Sequence, residues 1–508
     1  MLQMAFADVV KGDAETRARL EAWGRSRRAF LKNSLLAAGG TILLPSGMRA
    51  LMQSTPGVAI VGAGMAGLNA AWQLKKAGVD ATIYEASKRT GGRMYTLRGK
   101  MGEGLTTDIG GEFVDTTHEE ILGLAGEFGL ECYDLRKDPL THKVFFFEGR
   151  RLVASDLRAA IQPFVSALAK DIASLPARLD HTTGSQFERL DRMSITEYIT
   201  GLGISGWLYD LLTVVLTREY GMEASRQSAI NFLIMFEPPG EDNDYELFGA
   251  DHEIFKIKGG SQALTDKLTE KVGDRIRYEQ RLTGIERSEG GGYRLLFSQG
   301  EARADYLILT LPFTVLRKMG IRVPMTEGKR KSIDELGYGN SCKFVMTMHE
   351  RPWREQGFQG YTFNDGSFGC GWDSSQLQVG KRGTFTVFGG GDNGERIAEA
   401  TPDELLKSYL PVLDATYPGA VAAYGGKNLK FCWKTYPFTQ AGYSCFEKGQ
   451  WSTIAGYEAE PVEDIYFAGE HVSLAFQGYM NGAAQTGRIA AAAVLEKIHT
   501  KWTMQQRS

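Results

Sequence analysis

The chain has little with which to hold a metal or build a disulfide lattice. Its five cysteines, Cys132, Cys342, Cys370, Cys432 and Cys445, show no CxxC spacing and no even framework, so they read as mostly buried thiols. Seven histidines lie scattered without an HxxxH pair or a Cys/His group, and no metal centre is expected. There is no GxSxG and no workable Ser/His/Asp order, which removes serine-hydrolase chemistry. Basic residues number 58 against 61 acidic, a net charge of −3, and no basic stripe carries interleaved aromatics; nucleic acid is not an expected partner. Internal repeats and low-complexity tracts are also missing. What remains is 508 residues with 43% hydrophobic content, enough for two intertwined domains, and 61 glycines, more than ordinary usage predicts.

The glycines fall in patterned places. Val58-Ala59-Ile60-Val61 reads as a buried strand running into Gly62-Ala63-Gly64-Met65-Ala66-Gly67 and then a helix. Gly62 allows a tight turn, Gly64 lets backbone N–H groups approach a pyrophosphate, and Gly67 lets the helix pack on its strand. Glu85 ends the next strand, Ala81-Thr82-Ile83-Tyr84, where a carboxylate accepts from ribose hydroxyls and repels a 2′-phosphate. Together these predict a dinucleotide site. Arg89-Thr90-Gly91-Gly92-Arg93 follows, and Gly110-Gly111 closes the strand Thr106-Thr107-Asp108-Ile109. Two arginines set among glycines suit a long cofactor whose diphosphate draws charge from Arg89 and Arg93 while Gly92 leaves room.

Far along the chain, Asp464-Ile465-Tyr466-Phe467-Ala468-Gly469-Glu470-His471 reads as a strand ending in a glycine and an acid. Gly478-Tyr479-Met480-Asn481-Gly482-Ala483 then opens an alanine-rich helix. With these motifs the chain resembles the flavin-containing amine oxidase family, the group of monoamine, polyamine and L-amino-acid oxidases, from about Pro56 to Leu495. The resemblance implies an α/β fold: a discontinuous Rossmann-like FAD-binding domain with an inserted mixed-sheet and helical substrate domain. It also assigns roles. Gly469 and Glu470 would hold the ribityl and phosphate region, Met480 the carbonyl edge of the flavin, and the backbone at Leu282 the adenine. Leu307 to Pro312 would return to the nucleotide sheet. Lys343 would hold a water against flavin N5, and Tyr443 and Tyr479 would flank the amine with their electron-rich faces. The alternation of Lys343, Val345 and Thr347 with Phe344, Met346 and Met348 also fits a half-exposed strand.

Two departures bear on chemistry. Gly442 stands where some monoamine oxidases carry a cysteine, so FAD is expected to be noncovalent. The arginine that clamps a carboxylate in many L-amino-acid oxidases is missing after Gly111, where the run is Glu112-Phe113-Val114-Asp115. Arg218 is a candidate replacement, although it also reads as a helix-surface residue, and Glu112 is a candidate for a cationic substrate tail. The expected activity is oxidation of an L-amino acid or primary amine to an imine, with hydrogen peroxide formed, leaning slightly to amino acids. Oxygen or an electron-carrier protein is the acceptor, and a homodimer is compatible. Polyamine oxidase, a desaturase of phytoene or protoporphyrinogen type, and a non-catalytic flavin-binding assembly partner stand as alternatives.

Motif order places the FAD-binding domain at 56–115, 250–320 and 455–495, and the substrate domain at 116–249 and 321–454. Spacing predicts helix around Ile121 to Phe128 and from Pro402 to Leu413, strand at Thr384 to Phe388, and a polar loop from Glu237 to Asp244. Residues 1–50 read as a leader. Ser26-Arg27-Arg28-Ala29-Phe30-Leu31-Lys32 precedes an apolar run from Ser34 to Leu44 too short to span a bilayer, which resembles a twin-arginine signal and predicts periplasmic export; no clean A-x-A site follows Leu44, so the leader is either cleaved or kept, packed on the enzyme or tethering it to the membrane.

Overall fold

The computed structural model describes residues 14–36, 57–236 and 253–505, with Phe6 and Val10. The Glu237 to Asp244 loop and most of the run from Ser34 to Leu44 lie outside the described residues. Val58–Val61 is apolar and buried at all four positions because parallel neighbours flank it on both sides. Ala81–Tyr84 and Tyr306–Leu309 are those neighbours. Ile276–Arg277 and Ile465–Phe467 complete a five-stranded, wholly parallel sheet drawn from widely separated stretches of chain. The Met65–Lys76 helix leaves its strand through Gly62, whose φ is +105°. A Cβ on Gly67 would lie 2.0 Å from the Gly62 carbonyl oxygen, so only glycine lets this helix settle on its strand. The Met480–Gln505 helix then packs on Met65–Lys76, and Asn69 Nδ2 donates to the Ala484 carbonyl at 2.7 Å.

A second, seven-stranded sheet stands beside the first. Its order is Tyr424–Cys432, Cys342–Met348, Gly383–Gly389, Cys370–Asp373, Thr362–Asn364, Val144–Phe147 and Arg150–Leu152, with one parallel pairing, between Val144–Phe147 and Thr362–Asn364. The half-exposed reading of Cys342–Met348 is corrected, since all seven residues are buried. Phe344 and Met346 pack with Leu405, Tyr409 and Leu413 of the Pro402–Thr416 helix. The opposite face is roofed by the Thr96–Arg98 and Thr106–Asp108 hairpin, so Val345 meets Leu97 and Ile109. The thiol reading is also corrected in part. Cys342 and Cys432 face each other across neighbouring antiparallel strands and form a disulfide, while Cys132, Cys370 and Cys445 are free.

Residues 116–236 are mainly helical, and Val165–Ser174, Ile195–Gly201, Gly206–Tyr220 and Ala229–Leu233 share a core with Leu168, Ile172, Leu211 and Phe232. The Ala14–Leu36 helix lies against Val165–Ser174. Phe6, Val10, Leu20 and Trp23 are buried in the same core, and the Phe6 ring sits 5.0 Å from that of Phe236. At about 1.5–3 kcal/mol per fully buried side chain, these four contribute on the order of 6–12 kcal/mol before chain entropy. Among the described residues no helix is long and apolar enough to cross a membrane, and no His/Cys/Asp/Glu group could hold a metal ion.

Candidate active site

A cleft runs between the two sheets from Glu85, Gln280 and Leu282 at one end to Lys343, Tyr443 and Tyr479 at the other. The glycine turn shapes the first end. A Cβ on Gly64 would meet only Gly92 Cα, at 3.8 Å, which leaves room for a pyrophosphate against this backbone. Glu85 accepts the Ala63 and Ser87 N–H groups, each at 2.8 Å, and keeps lone pairs for ribose hydroxyls. Arg89 divides its guanidinium. Its terminal nitrogens donate to the Thr90 and Gly92 carbonyls, holding the turn, while Nε is buried without a partner beside the cleft. An orphan donor next to a glycine cradle suits a diphosphate.

The other end converges on Glu470, which follows Gly469 (φ +140°) at the end of Ile465–Phe467. One carboxylate gathers Arg93 Nη1 at 2.7 Å, the Ser444 hydroxyl at 2.7 Å, the Ser444 N–H at 3.2 Å and the Gly478 N–H at 2.8 Å. Burial alone would raise its pKa. The Arg93 charge and the hydrogen bonds from Arg93 and Ser444 outweigh this and hold it below the ordinary carboxylate value. Arg93 also donates to the Gly442 carbonyl, tying the tyrosine turn to the same point. Close packing fixes the floor: a Cβ on Gly110 would lie 1.9 Å from the Arg93 carbonyl oxygen, and one on Gly111 would lie 2.8 Å from Met480 Sδ.

Lys343 lines this end, and its surroundings revise two expectations. Its Nζ donates to the Glu112 carboxylate at 2.8 Å, the Asp108 carbonyl at 2.9 Å and the Gly110 carbonyl at 3.0 Å. All three ammonium hydrogens are engaged, so holding a water requires one of them to leave a backbone carbonyl. Glu112 is not a free docking point for a cationic tail either. It also takes Lys256 Nζ at 2.7 Å and Trp372 Nε1 at 3.2 Å. Burial pushes Glu112 up, but Lys256 and Lys343 prevail and its pKa is lowered. Asp108, buried and repelled by Glu112, is raised to about 6.

Tyr443 and Tyr479 both line the cleft, and both hydroxyls are anchored on the last turn of Gly206–Tyr220. Tyr443 Oη donates to the Arg218 carbonyl at 2.9 Å and Tyr479 Oη to the Glu219 carboxylate. Burial raises the pKa of both phenols. The surface reading of Arg218 is corrected: its side chain is 13% exposed, held between Glu219 and Glu253, and lies over Tyr361 and Trp372. Sequence reasoning passed over Glu219, Ser444, Phe388 and Trp433. Ser444, directly after Tyr443, and Glu219, directly after Arg218, carried a positional hint; Phe388 and Trp433 reach the cleft through pairings that no local pattern encodes.

The family model for flavin containing amine oxidoreductase matches residues 65–495. The flavin-containing amine oxidase B of Homo sapiens is 25% identical over 469 residues, 87% of this chain and 86% of that protein. A Bacillus subtilis protein provisionally named L-amino-acid oxidase YobN is 23% identical over 491 residues, 90% of this chain and 98% of that one. Among solved structures, cyclohexylamine oxidase from Brevibacterium oxydans matches with a TM-score of 0.77 at 21% identity, covering 88% of this chain and 100% of that one. Putrescine oxidase bound to putrescine gives 0.72 at 20%, covering 87% and 99%. The glycine cradle, the Glu470 junction and the family match agree on FAD as cofactor, and the chain belongs to the flavin containing amine oxidoreductase family.

Proposed function

We propose that this enzyme oxidises a small primary amine at its α-carbon, giving an imine that water converts to ammonia and an aldehyde or ketone. FAD, which the glycine cradle, Glu85, Arg93 and Glu470 would hold, would supply a hydride acceptor and a route for two electrons to oxygen, with hydrogen peroxide as the product. Tyr443 and Tyr479 present ring faces to the amine nitrogen, and their anchored hydroxyls keep those faces from turning away. An ammonium has no lone pair to support hydride loss, so turnover rises with pH until the bound amine is neutral. The carrying observation is the pair of tyrosines lining the Lys343 end of the cleft. Gly442 in the turn before Tyr443 supports noncovalent FAD, and denaturation followed by filtration should free yellow colour from the chain.

L-Amino acids form the second reading, favoured by Arg218, a buried guanidinium beside the tyrosines. Its two terminal nitrogens are already held by Glu219 and Glu253, which ranks this reading below simple amines. A peroxide assay across tyramine, cyclohexylamine, putrescine and the common amino acids decides. Peroxide from amino acids alone installs the second reading, and no bleaching of the flavin by any of them defeats both. The Arg27-Arg28 pair supports twin-arginine export of the folded, FAD-loaded enzyme. Recovery of the protein only from cytosol refutes it.

A further inference from the structure

The last turn of Gly206–Tyr220 does more than end a helix. Gly221 closes it in the left-handed region (φ +66°), and its carbonyl accepts the Asn340 and Gly391 N–H groups, each at 3.0 Å. The turn is thereby joined to the segment leading into the Lys343 strand. Glu219, 9% exposed, holds Tyr479 Oη on one carboxylate oxygen and Arg218 Nη1, at 2.8 Å, on the other. Glu253 takes the other arm of Arg218, and its N–H donates to Asp115 at 2.7 Å. His118 Nδ1 accepts the Asp115 N–H and is therefore the unprotonated nitrogen of a neutral imidazole. Arg27 of the Ala14–Leu36 helix adds a second positive charge that acts on Tyr220. Three carboxylates thus face two guanidiniums around the tyrosines.

We propose that Glu219 is a specificity-determining residue: its charge, delivered to the amine pocket through the Tyr479 hydroxyl, makes the pocket take its ligand as a cation. A phenol that donates to a carboxylate gains electron density on its ring, which strengthens attraction of a cation to the ring face. The surplus negative charge acts in the same direction from behind the ring. Substrates enter as ammonium ions and give the proton to solvent water from the complex, before oxidation. The inference rests on the amine-oxidising reading for its biological meaning, but its test needs no turnover.

Benzyltrimethylammonium and benzyl alcohol have similar bodies, and only one is charged. Their dissociation constants are read from the flavin absorbance of holoenzyme, in wild type and in Glu219→Gln, which keeps an acceptor for Tyr479. Expected is at least a tenfold preference for the cation in wild type, reduced tenfold or more by the substitution, with benzyl alcohol binding changed less than twofold. Glu219→Asp, which keeps the charge, should retain most of the preference. A wild type that binds both probes alike, or neither, overturns the proposal, as does a preference that survives in Glu219→Gln. Should that variant fail to load FAD, Tyr479→Phe decides, since it keeps the ring and removes the hydroxyl through which the Glu219 charge acts. A weakened cation preference there supports the proposal and an unchanged one overturns it. Absence of peroxide from every amine would defeat the functional reading while leaving these binding ratios measurable.

Discussion

Replacing Glu112 by Gln tests whether the polar floor of the cleft is a charge-balanced unit. Glu112 is 4% exposed and bonds Lys256, Lys343 and Trp372, while Asp108 supplies the second carboxylate of the group. The substitution preserves shape and leaves two buried ammonium groups against Asp108 alone. Breaking a buried ion pair from one side costs about 3–5 kcal/mol. Little of that loss returns through Asp108, because burial and the Glu112 charge raise it only to about 6 and it is already mostly ionised at pH 7. A loss of about 3–5 kcal/mol is therefore expected in urea unfolding at pH 7 followed by tryptophan fluorescence. Adding Lys343→Met restores one acid to one base, and the double variant should recover about 2 kcal/mol relative to Glu112→Gln. A single-variant loss below about 1 kcal/mol, or a double variant weaker than the sum of the singles, refutes the reasoning.

Lys343→Met alone should slow reoxidation of the reduced enzyme by oxygen about 10²-fold, the usual scale for removing a charge-stabilising donor; stopped-flow mixing with oxygen measures it, and an unchanged rate removes Lys343 from that step. The Cys342–Cys432 disulfide closes a separation of 90 residues, so Cys432→Ser should cost up to about 4–5 kcal/mol by loop entropy. Thiol counting in denaturant should find three free groups before reduction and five after, and five at once would deny the bond. Glu458 is pushed up to about 8, first by burial, with its Oε1 unpartnered. The folded chain keeps a proton that the unfolded chain releases above the usual carboxylate value. Stability is therefore lost as pH rises toward 8, and Glu458→Gln should raise Tm more at pH 8 than at pH 5. Equal shifts at both pH values would contradict the assignment.

The nucleotide half of this fold was readable because its signals are local. Gly62, Gly64 and Gly67 lie within one strand, turn and helix, Glu85 ends the very next strand, and Gly67 answers the Gly62 carbonyl of its own turn. Lys343 shows where such reading ends. Its alternation with Val345 and Thr347 has the period of a half-exposed strand, yet the polar-looking face lies under a hairpin more than 230 residues earlier, as the 235-residue reach from Lys343 to Asp108 records. Arg218 failed for the same reason: its helix pattern says nothing of Glu253 or Trp372, which close over it. Cys342 and Cys432 are neighbours only through sheet register. The Ala14–Leu36 helix, read as part of a leader, carries buried Leu20 and Trp23 because a distant helix offers them an apolar partner.

The hydrogen bond from Asn69 to Ala484 joins residues 415 positions apart, and it belongs to the helix pair that backs the parallel sheet. At about 5–20 residues per second, a ribosome takes roughly 20–80 s to add that stretch. Throughout synthesis the early strand and its glycine turn wait with an oily flank uncovered. Full enclosure of the prosthetic group must therefore wait until that late helix has been translated.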